Sequence, residues 1–276
     1  MLKARILTSV ILMAGFLAAV FFLPDVYWAL LMLAFITIAF WEWAGMARLA
    51  KPWPHVYVSM VVAFGVIVTL ADNIGMPTLQ PQVMFYSILA ATAFWLIACP
   101  AWLMTRFSVR QPAVLAVIGL IILFPTWLAL VSMRGISPWL LLVVMVAVWI
   151  ADSTAYFAGR RFGKHKLAPQ ISPGKTWEGV LGAWLGVSLY GVILCYSLSL
   201  SYWTIVGLLG ITVLSIMGDL LESLVKRQAG VKDSGSLLPG HGGVLDRIDG
   251  LTSTLPLVMF FIYFPTYFLV MESFYA

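Results

Sequence analysis

Long apolar runs alternate with short polar breaks along the chain. The runs fall near 5–23, 26–44, 55–71, 81–99, 113–131, 138–158, 177–198, 202–225 and 250–272. Each is close to the roughly 20 residues a helix needs to cross a bilayer. The breaks carry turn residues, as at Pro24-Asp25, Lys51-Pro52-Trp53-Pro54 and Gly75-Met76-Pro77. The pattern predicts an all-α polytopic membrane protein of about nine transmembrane helices. Lys3 and Arg5 ahead of the first run resemble the start of a secretory leader. The run passes almost directly into a second span and has no clear small-residue cleavage site, so the segment is expected to stay.

Composition sharpens this picture. The chain has 276 residues, 62% apolar and 10% charged, with a mean hydropathy of +1.01. Soluble domains carry about 25% charged residues. A soluble enzyme, a disordered chain and a conventional nucleic-acid-binding domain are therefore excluded. The net charge of +5 reads as topology instead. With the N-terminus inside, 15 of the 16 Lys and Arg residues lie in cytoplasmic segments, and only Arg134 falls outside. Basic loops mark the cytoplasmic side, so the C-terminus is expected outside.

The charges are also concentrated along the sequence. Residues 150–249 hold nine basic and seven acidic side chains. Two long cytoplasmic loops, 159–176 and 226–249, lie in this stretch. It divides the chain into an N-terminal region (1–135) of transmembrane helices, without an evident chemical role, and a C-terminal catalytic region (136–276). Cys99 and Cys195 sit in apolar runs without metal-ligand spacing and read as small buried side chains. Trp, Tyr and Met need only be anchors and packing.

Ionisable groups inside spans are costly and mark functional candidates. Asp152 lies toward the inner end of the sixth run, and Asp219 and Glu222 toward that of the eighth. Glu178 opens the seventh, while Asp246 and Asp249 precede the ninth. All of these carboxylates therefore approach one membrane face. Asp219, Glu222, Ser223 and Lys226 share one helical face at i, i+3, i+4 and i+7. Such a stripe serves either to join helices or to bind a ligand. At Asp219, carboxylates without equal local neutralisation point to a metal or cationic ligand.

The second loop mixes both charges with glycines: Lys226, Arg227, Lys232, Asp233, His241, Gly242, Gly243, Asp246, Arg247 and Asp249. Glycines let backbone N–H groups approach an anion. Lys and Arg neutralise phosphate, and aspartates suit Mg²⁺ bridged to substrate phosphates. Together they suit a metal–nucleotide complex, with His241 presented between glycines. In the first loop, Gly174-Lys175-Thr176 has the ending of a Walker A loop. Position 169 is Pro where the motif needs Gly, and no strand is expected before it, so a P-loop is excluded. Arg160 and Arg161 satisfy the positive-inside pattern or grip anionic headgroups. His55 and His165 have no partner pattern. Hydrolase triads, a GxSxG elbow, HExxH and paired-Cys zinc spacings are absent.

Residues 223–249 resemble the phosphatidate cytidylyltransferase family, the membrane CDP-diacylglycerol synthases of bacteria. The resemblance rests on Ser223, Lys226, Arg227, Lys232, Asp233, Gly235, Pro239, His241, Gly242, Gly243, Asp246, Arg247 and Asp249, in order over 27 residues. The stretches Asp152–Tyr156, Gly159-Arg160, Ser172-Pro173, Lys175-Thr176 and Glu178-Gly179 are similar too. The N-terminal half matches only as generic spans.

The resemblance implies an Mg²⁺-dependent enzyme that converts CTP and phosphatidate to CDP-diacylglycerol and pyrophosphate, with room for a second cation. Phosphatidate brings its own oxyanion nucleophile, so positioning and charge neutralisation suffice. The expected metal ligands are Asp219, Asp246 and Asp249. Lys226, Arg227, Lys232 and Arg247 would neutralise the triphosphate, with Gly242 and Gly243 closing over it. Asp152, Lys175 and Glu178 would line the same cavity, Lys175 at the phosphatidate headgroup. Ser223 and His241 complete the substrate-binding set. A homodimer in the bacterial inner membrane is implied by resemblance alone, while the basic loops put the site at the cytoplasmic face. The competing readings are a CTP-using enzyme or kinase for another lipid phosphate or polyprenol, and an ion-coupled transporter. A transporter would place its carboxylates nearer the midplane, between inverted repeats.

Overall fold

A computed structural model describes residues 13–235, 237 and 242–275, with side chains through residue 264 except at residue 72. Nine helices occur among the described residues, besides a short 3₁₀ turn at Asp72–Ile74. They are α1 (Met13–Phe22), α2 (Asp25–Met46), α3 (Trp53–Thr69), α4 (Leu79–Thr105) and α5 (Pro112–Ile136). The chain continues as α6 (Pro138–Phe162), α7 (Trp177–Leu198), α8 (Trp203–Ala229) and α9 (Leu245–Tyr275). Six of them, α2 and α4 to α8, are long and apolar enough to cross a membrane. The chain is a multi-pass membrane protein.

Local chemistry explains the helix limits. Pro112 and Pro138 start α5 and α6, where a missing N–H costs nothing. A single extended residue, Ser137, separates these two helices. In α4 the turn Phe94–Ala98 widens to π geometry just before Cys99-Pro100. Pro100 cannot donate and its ring crowds the preceding turn, so the helix accommodates it by widening. Gly230 closes α8 in the left-handed region at φ 76°.

Two departures from the expected layout matter for the site. The 159–176 segment is not an irregular loop. It forms an antiparallel hairpin of β1 (Lys166–Ala168) and β2 (Ser172–Thr176), with Lys166 opposite Thr176. The fold is therefore all-helical apart from this hairpin, and Gly174-Lys175-Thr176 lies within a strand. The hairpin is short and carries Pro and Gly, so its sequence gives little strand signal. Its position comes from contacts with α6 and α7, where Thr176 is buried against Gly159, Gly163 and Gly179. The second departure is that helix takes up both ends of 226–249. Lys226 and Arg227 belong to α8, and Asp246, Arg247 and Asp249 to the first turns of α9. The true connection covers only residues 230–244.

One apolar core runs from Val20 to Met259, so the two expected regions share it. Several Trp residues are packing elements rather than interfacial anchors. Trp28 Nε1 donates to the Leu130 carbonyl at 3.3 Å, and Trp43 Nε1 donates to the Leu115 carbonyl at 2.7 Å. Trp127 Nε1 donates back to the Ala29 carbonyl at 3.0 Å. These bonds satisfy buried indole donors and fix α2 against α5. Arg134, the one basic residue expected outside, is buried against Asp25 and the Val20 and Leu23 carbonyls. Cys99 and Cys195 are buried and free, as expected.

Candidate active site

The site lies where α6, α7, α8, α9 and the hairpin converge. Close approach of α8 and α9 is its geometric basis. A Cβ at Gly218 would lie 2.3 Å from the Asp249 carbonyl oxygen, and one at Gly250 would lie 2.5 Å from Ser215 Oγ. Ser253 Oγ donates to the Leu214 carbonyl at 2.6 Å, pinning the same two helices. Small residues thus let Asp219 on α8 and Asp249 on α9 stand beside one another. Gly218→Ala is expected to push α9 away from α8. It should cost about 1–3 kcal/mol of stability and depress activity further than the lost folded fraction explains. Thermal unfolding and rate measured on one detergent-solubilised preparation check this.

Two lysine–carboxylate clusters follow. In the first, Lys175 on β2 forms an ion pair with Asp219, and Ser223 Oγ donates to Asp219 Oδ1 at 3.2 Å. Ser215 Oγ donates to Asp152 Oδ1 at 3.4 Å. Asp152, Asp219 and Asp249 are close enough for their charges to act on one another, with Lys175 as the cation among them. Asp249 Oδ1 also accepts the Gly250 N–H at 2.7 Å.

In the second cluster, Lys226 Nζ donates to Glu222 Oε2 at 3.1 Å and to Asp246 Oδ1 at 2.5 Å. Asp246 Oδ2 accepts from Ser234 N at 3.0 Å, Ser234 Oγ at 2.9 Å and Gly243 N at 2.8 Å. Asp246 precedes the apolar stretch of α9. Burial pushes its carboxyl up, but the Lys226 ammonium and the Gly243 and Ser234 N–H groups outweigh burial. They hold it well below the usual carboxylate range. Gly242 takes φ 79°, and a Cβ there would lie 2.7 Å from Asp246 Oδ2. Glycine is what this turn requires.

Most of the expected residues therefore meet, but not all. Glu178 turns to the hairpin: the His165 N–H donates to both its oxygens at 3.2 Å, and His165 Nδ1 lies 2.6 Å from Oε1. His165 thus has the partner that its spacing did not suggest. Arg227, Lys232 and Arg247 are exposed. His241 lies outside the described residues. Asp246 departs from a simple ligand role, because a cation and Lys226 Nζ are alternatives at Oδ1. Glu42 on α2, which the sequence did not single out, is 6% exposed and accepts the Val244 and Leu245 N–H groups. The rule that singles out Asp152 and Asp219, an ionisable group inside an apolar run, applies equally to Glu42.

Hard oxygen donors suit Mg²⁺, which takes one or two carboxylates and draws its other ligands from phosphates and water. Asp219 and Asp249, with Asp152 beside them, fit that demand. Among the described residues no group of three or more His, Cys, Asp or Glu side chains is arranged to hold a metal ion. An open site of this kind is compatible with a metal that arrives bridged to a nucleotide.

Comparison with known proteins gives the family. Residues 3–265 match the Cytidylyltransferase family. The chain is 35% identical to a phosphatidate cytidylyltransferase of Haemophilus influenzae over 289 aligned residues, covering 96% of this chain and 99% of the relative. It is 39% identical to one of Pseudomonas aeruginosa over 269 residues, covering 93% and 95%. A phosphatidate cytidylyltransferase of Synechocystis is 49% identical over 128 residues, or 44% of this chain and 43% of the relative. With a family match over nearly its whole length, and two relatives covered almost end to end, the chain belongs to the cytidylyltransferase family.

Proposed function

We propose that the protein is a phosphatidate cytidylyltransferase that joins CTP and phosphatidate to give CDP-diacylglycerol and pyrophosphate. Beyond the family match, the observation that supports it most is the pairing of Lys175 with Asp219 and Lys226 with Asp246 at one end of α8. Two cations and several carboxylates that can exchange partners suit a metal–triphosphate. A phosphate oxygen of phosphatidate attacks the α-phosphorus of CTP. The bond from that phosphorus to the β-phosphate bridging oxygen breaks, and pyrophosphate leaves with the electron pair. The nucleophile is already an oxyanion, so no side-chain base is needed.

Asp219 and Asp249 would hold Mg²⁺, with Asp152 adjacent and Asp246 available once Lys226 turns away. When bound, the ion would neutralise phosphate charge and orient the displacement. Lys226 and Arg247 bind and neutralise the triphosphate, and Lys175 binds the lipid phosphate. Ser223 orients Asp219. The exposed Arg227 and Lys232, together with Gly242 and Gly243, border the nucleotide side. The acyl chains remain in the bilayer.

The nine-span arrangement with the N-terminus in the cytoplasm follows from the distribution of Lys and Arg. On that arrangement the site would open at the cytoplasmic face of the bacterial inner membrane. The dimer is part of the same proposal.

The test uses purified protein in detergent micelles with CTP and Mg²⁺. Phosphatidate is expected to support pyrophosphate release and a CMP-bearing lipid product, and chelation of the divalent ion to stop both. Turnover with a polyprenyl phosphate but not phosphatidate would overturn the substrate assignment. Ion uptake by proteoliposomes without nucleotide, with no turnover, would overturn the enzymatic one.

A further inference from the structure

The N-terminal half carries no residue of the sequence-predicted site, yet one of its side chains enters the 234–245 turn. Glu42, on α2, is buried. Its Oε1 accepts the Val244 N–H at 2.9 Å, and its Oε2 accepts the Leu245 N–H at 2.8 Å. Ser234 Oγ lies 3.1 Å from Oε2 and 2.9 Å from Asp246 Oδ2. A hydroxyl has one proton, so Ser234 shares it between the two carboxylates.

The first N–H groups of a helix have no partner within it. At and just before the start of α9, backbone N–H groups go to two carboxylates: Gly243 to Asp246, and Val244 and Leu245 to Glu42. A negative charge at this end also complements the helix dipole. The turn is shaped to receive it. A Cβ at Gly235 would lie 2.4 Å from Glu42 Oε1, and one at Gly243 would lie 2.5 Å from Oε2. Only glycine at both positions lets the carboxylate approach this closely.

We propose that Glu42 is a positioning residue for nucleotidyl transfer: through Ser234 and the first turn of α9 it fixes Asp246, and through Asp246 it fixes Lys226. This rests on the function proposed above. It also gives the N-terminal half a role in the chemistry, since α2 supplies a template for the nucleotide-binding turn. Glu42 touches no substrate in this scheme. Replacing it by Gln keeps the size but presents an NH₂ group to backbone N–H donors that need acceptors, so the turn must shift.

The experiment compares wild type, Glu42→Gln, Ser234→Ala and the core control Leu33→Ala, from the same helix, in detergent micelles with CTP, Mg²⁺ and phosphatidate. A misplacement near 1 Å costs about 10²-fold in rate, and Glu42→Gln is expected to lose that much kcat/KM for CTP. Its KM for phosphatidate should stay unchanged, and its apparent Mg²⁺ requirement should rise. Ser234→Ala should show the same pattern at about a tenth of the size. Leu33→Ala should lose activity only in step with its folded fraction.

Wild-type kinetics in Glu42→Gln would overturn the proposal. So would a loss that tracks thermal stability as in Leu33→Ala, since Glu42 would then be structural only. Should Glu42→Gln fail to accumulate, Ser234→Ala decides: unchanged CTP kinetics there overturns the proposal. Inactivity of the wild type would overturn the proposed function itself, which separates the two failures.

Discussion

Asp219→Asn is expected to lower CTP-dependent pyrophosphate release by about 10³-fold, the cost of removing one preorganised charge from a displacement that depends on electrostatic stabilisation. The variant keeps shape and volume. It leaves Lys175 without its carboxylate partner and Ser223 with an amide instead of an anion. It also removes one of the two hard donors proposed for Mg²⁺, since an amide oxygen binds the ion far less strongly than a carboxylate. The loss should appear in kcat at saturating phosphatidate, and raised Mg²⁺ should restore only part of it. Asp219 is partly open, with its side chain 29% exposed, so the fold should survive. Measured pyrophosphate release within tenfold of wild type would sink the metal assignment at this position. Asp246→Asn tests the second cluster in the same assay. Near wild-type turnover there would remove Asp246 from the metal set and leave it as the partner of Lys226.

The second large effect concerns Lys226→Met. Its ammonium forms ion pairs with Glu222, a residue only 4% exposed, and with Asp246. Truncating one member of a buried ionic cluster leaves uncompensated charge and costs about 3–5 kcal/mol. Lys226→Met is therefore expected to lower the thermal midpoint and to lose turnover as well. The two losses can be separated. Glu222→Gln on top of Lys226→Met removes the stranded charge and should recover most of the stability. Turnover should stay low, because the cation that faces the triphosphate is still missing. A double variant that regains both would show that Lys226 acts through folding alone.

Much of the site is legible along the chain. Carboxylates inside apolar runs stand out because the bilayer makes them costly, and that alone singles out Asp152, Asp219 and Glu222. Spacing correctly places Ser223 and Lys226 on the stripe with Asp219 and Glu222. It does not reveal that the stripe works as two i,i+4 pairs, Asp219 with Ser223 and Glu222 with Lys226. Nor does it reveal that each pair takes a further partner from another element, Lys175 from the hairpin and Asp246 from α9. Glu178 illustrates the reverse case. Its charge and position suggest a cavity residue, but the nearest donors are the backbone and ring of His165, and it closes the hairpin instead.

The sequence by itself determines that this is a multi-pass helical membrane protein whose charged side chains are concentrated between residues 150 and 249. Apolar length, the sidedness of Lys and Arg and the cost of buried charge are properties of composition and order, and a bilayer reads them directly. Only the tertiary structure decides how far the helices run, that residues 166–176 pair as strands, and that Glu42 caps a helix about two hundred residues away in sequence. These depend on which backbone N–H groups are left without partners and on which glycines let a neighbour approach. Contacts of that kind form across the fold, between segments with no periodic relation in the chain.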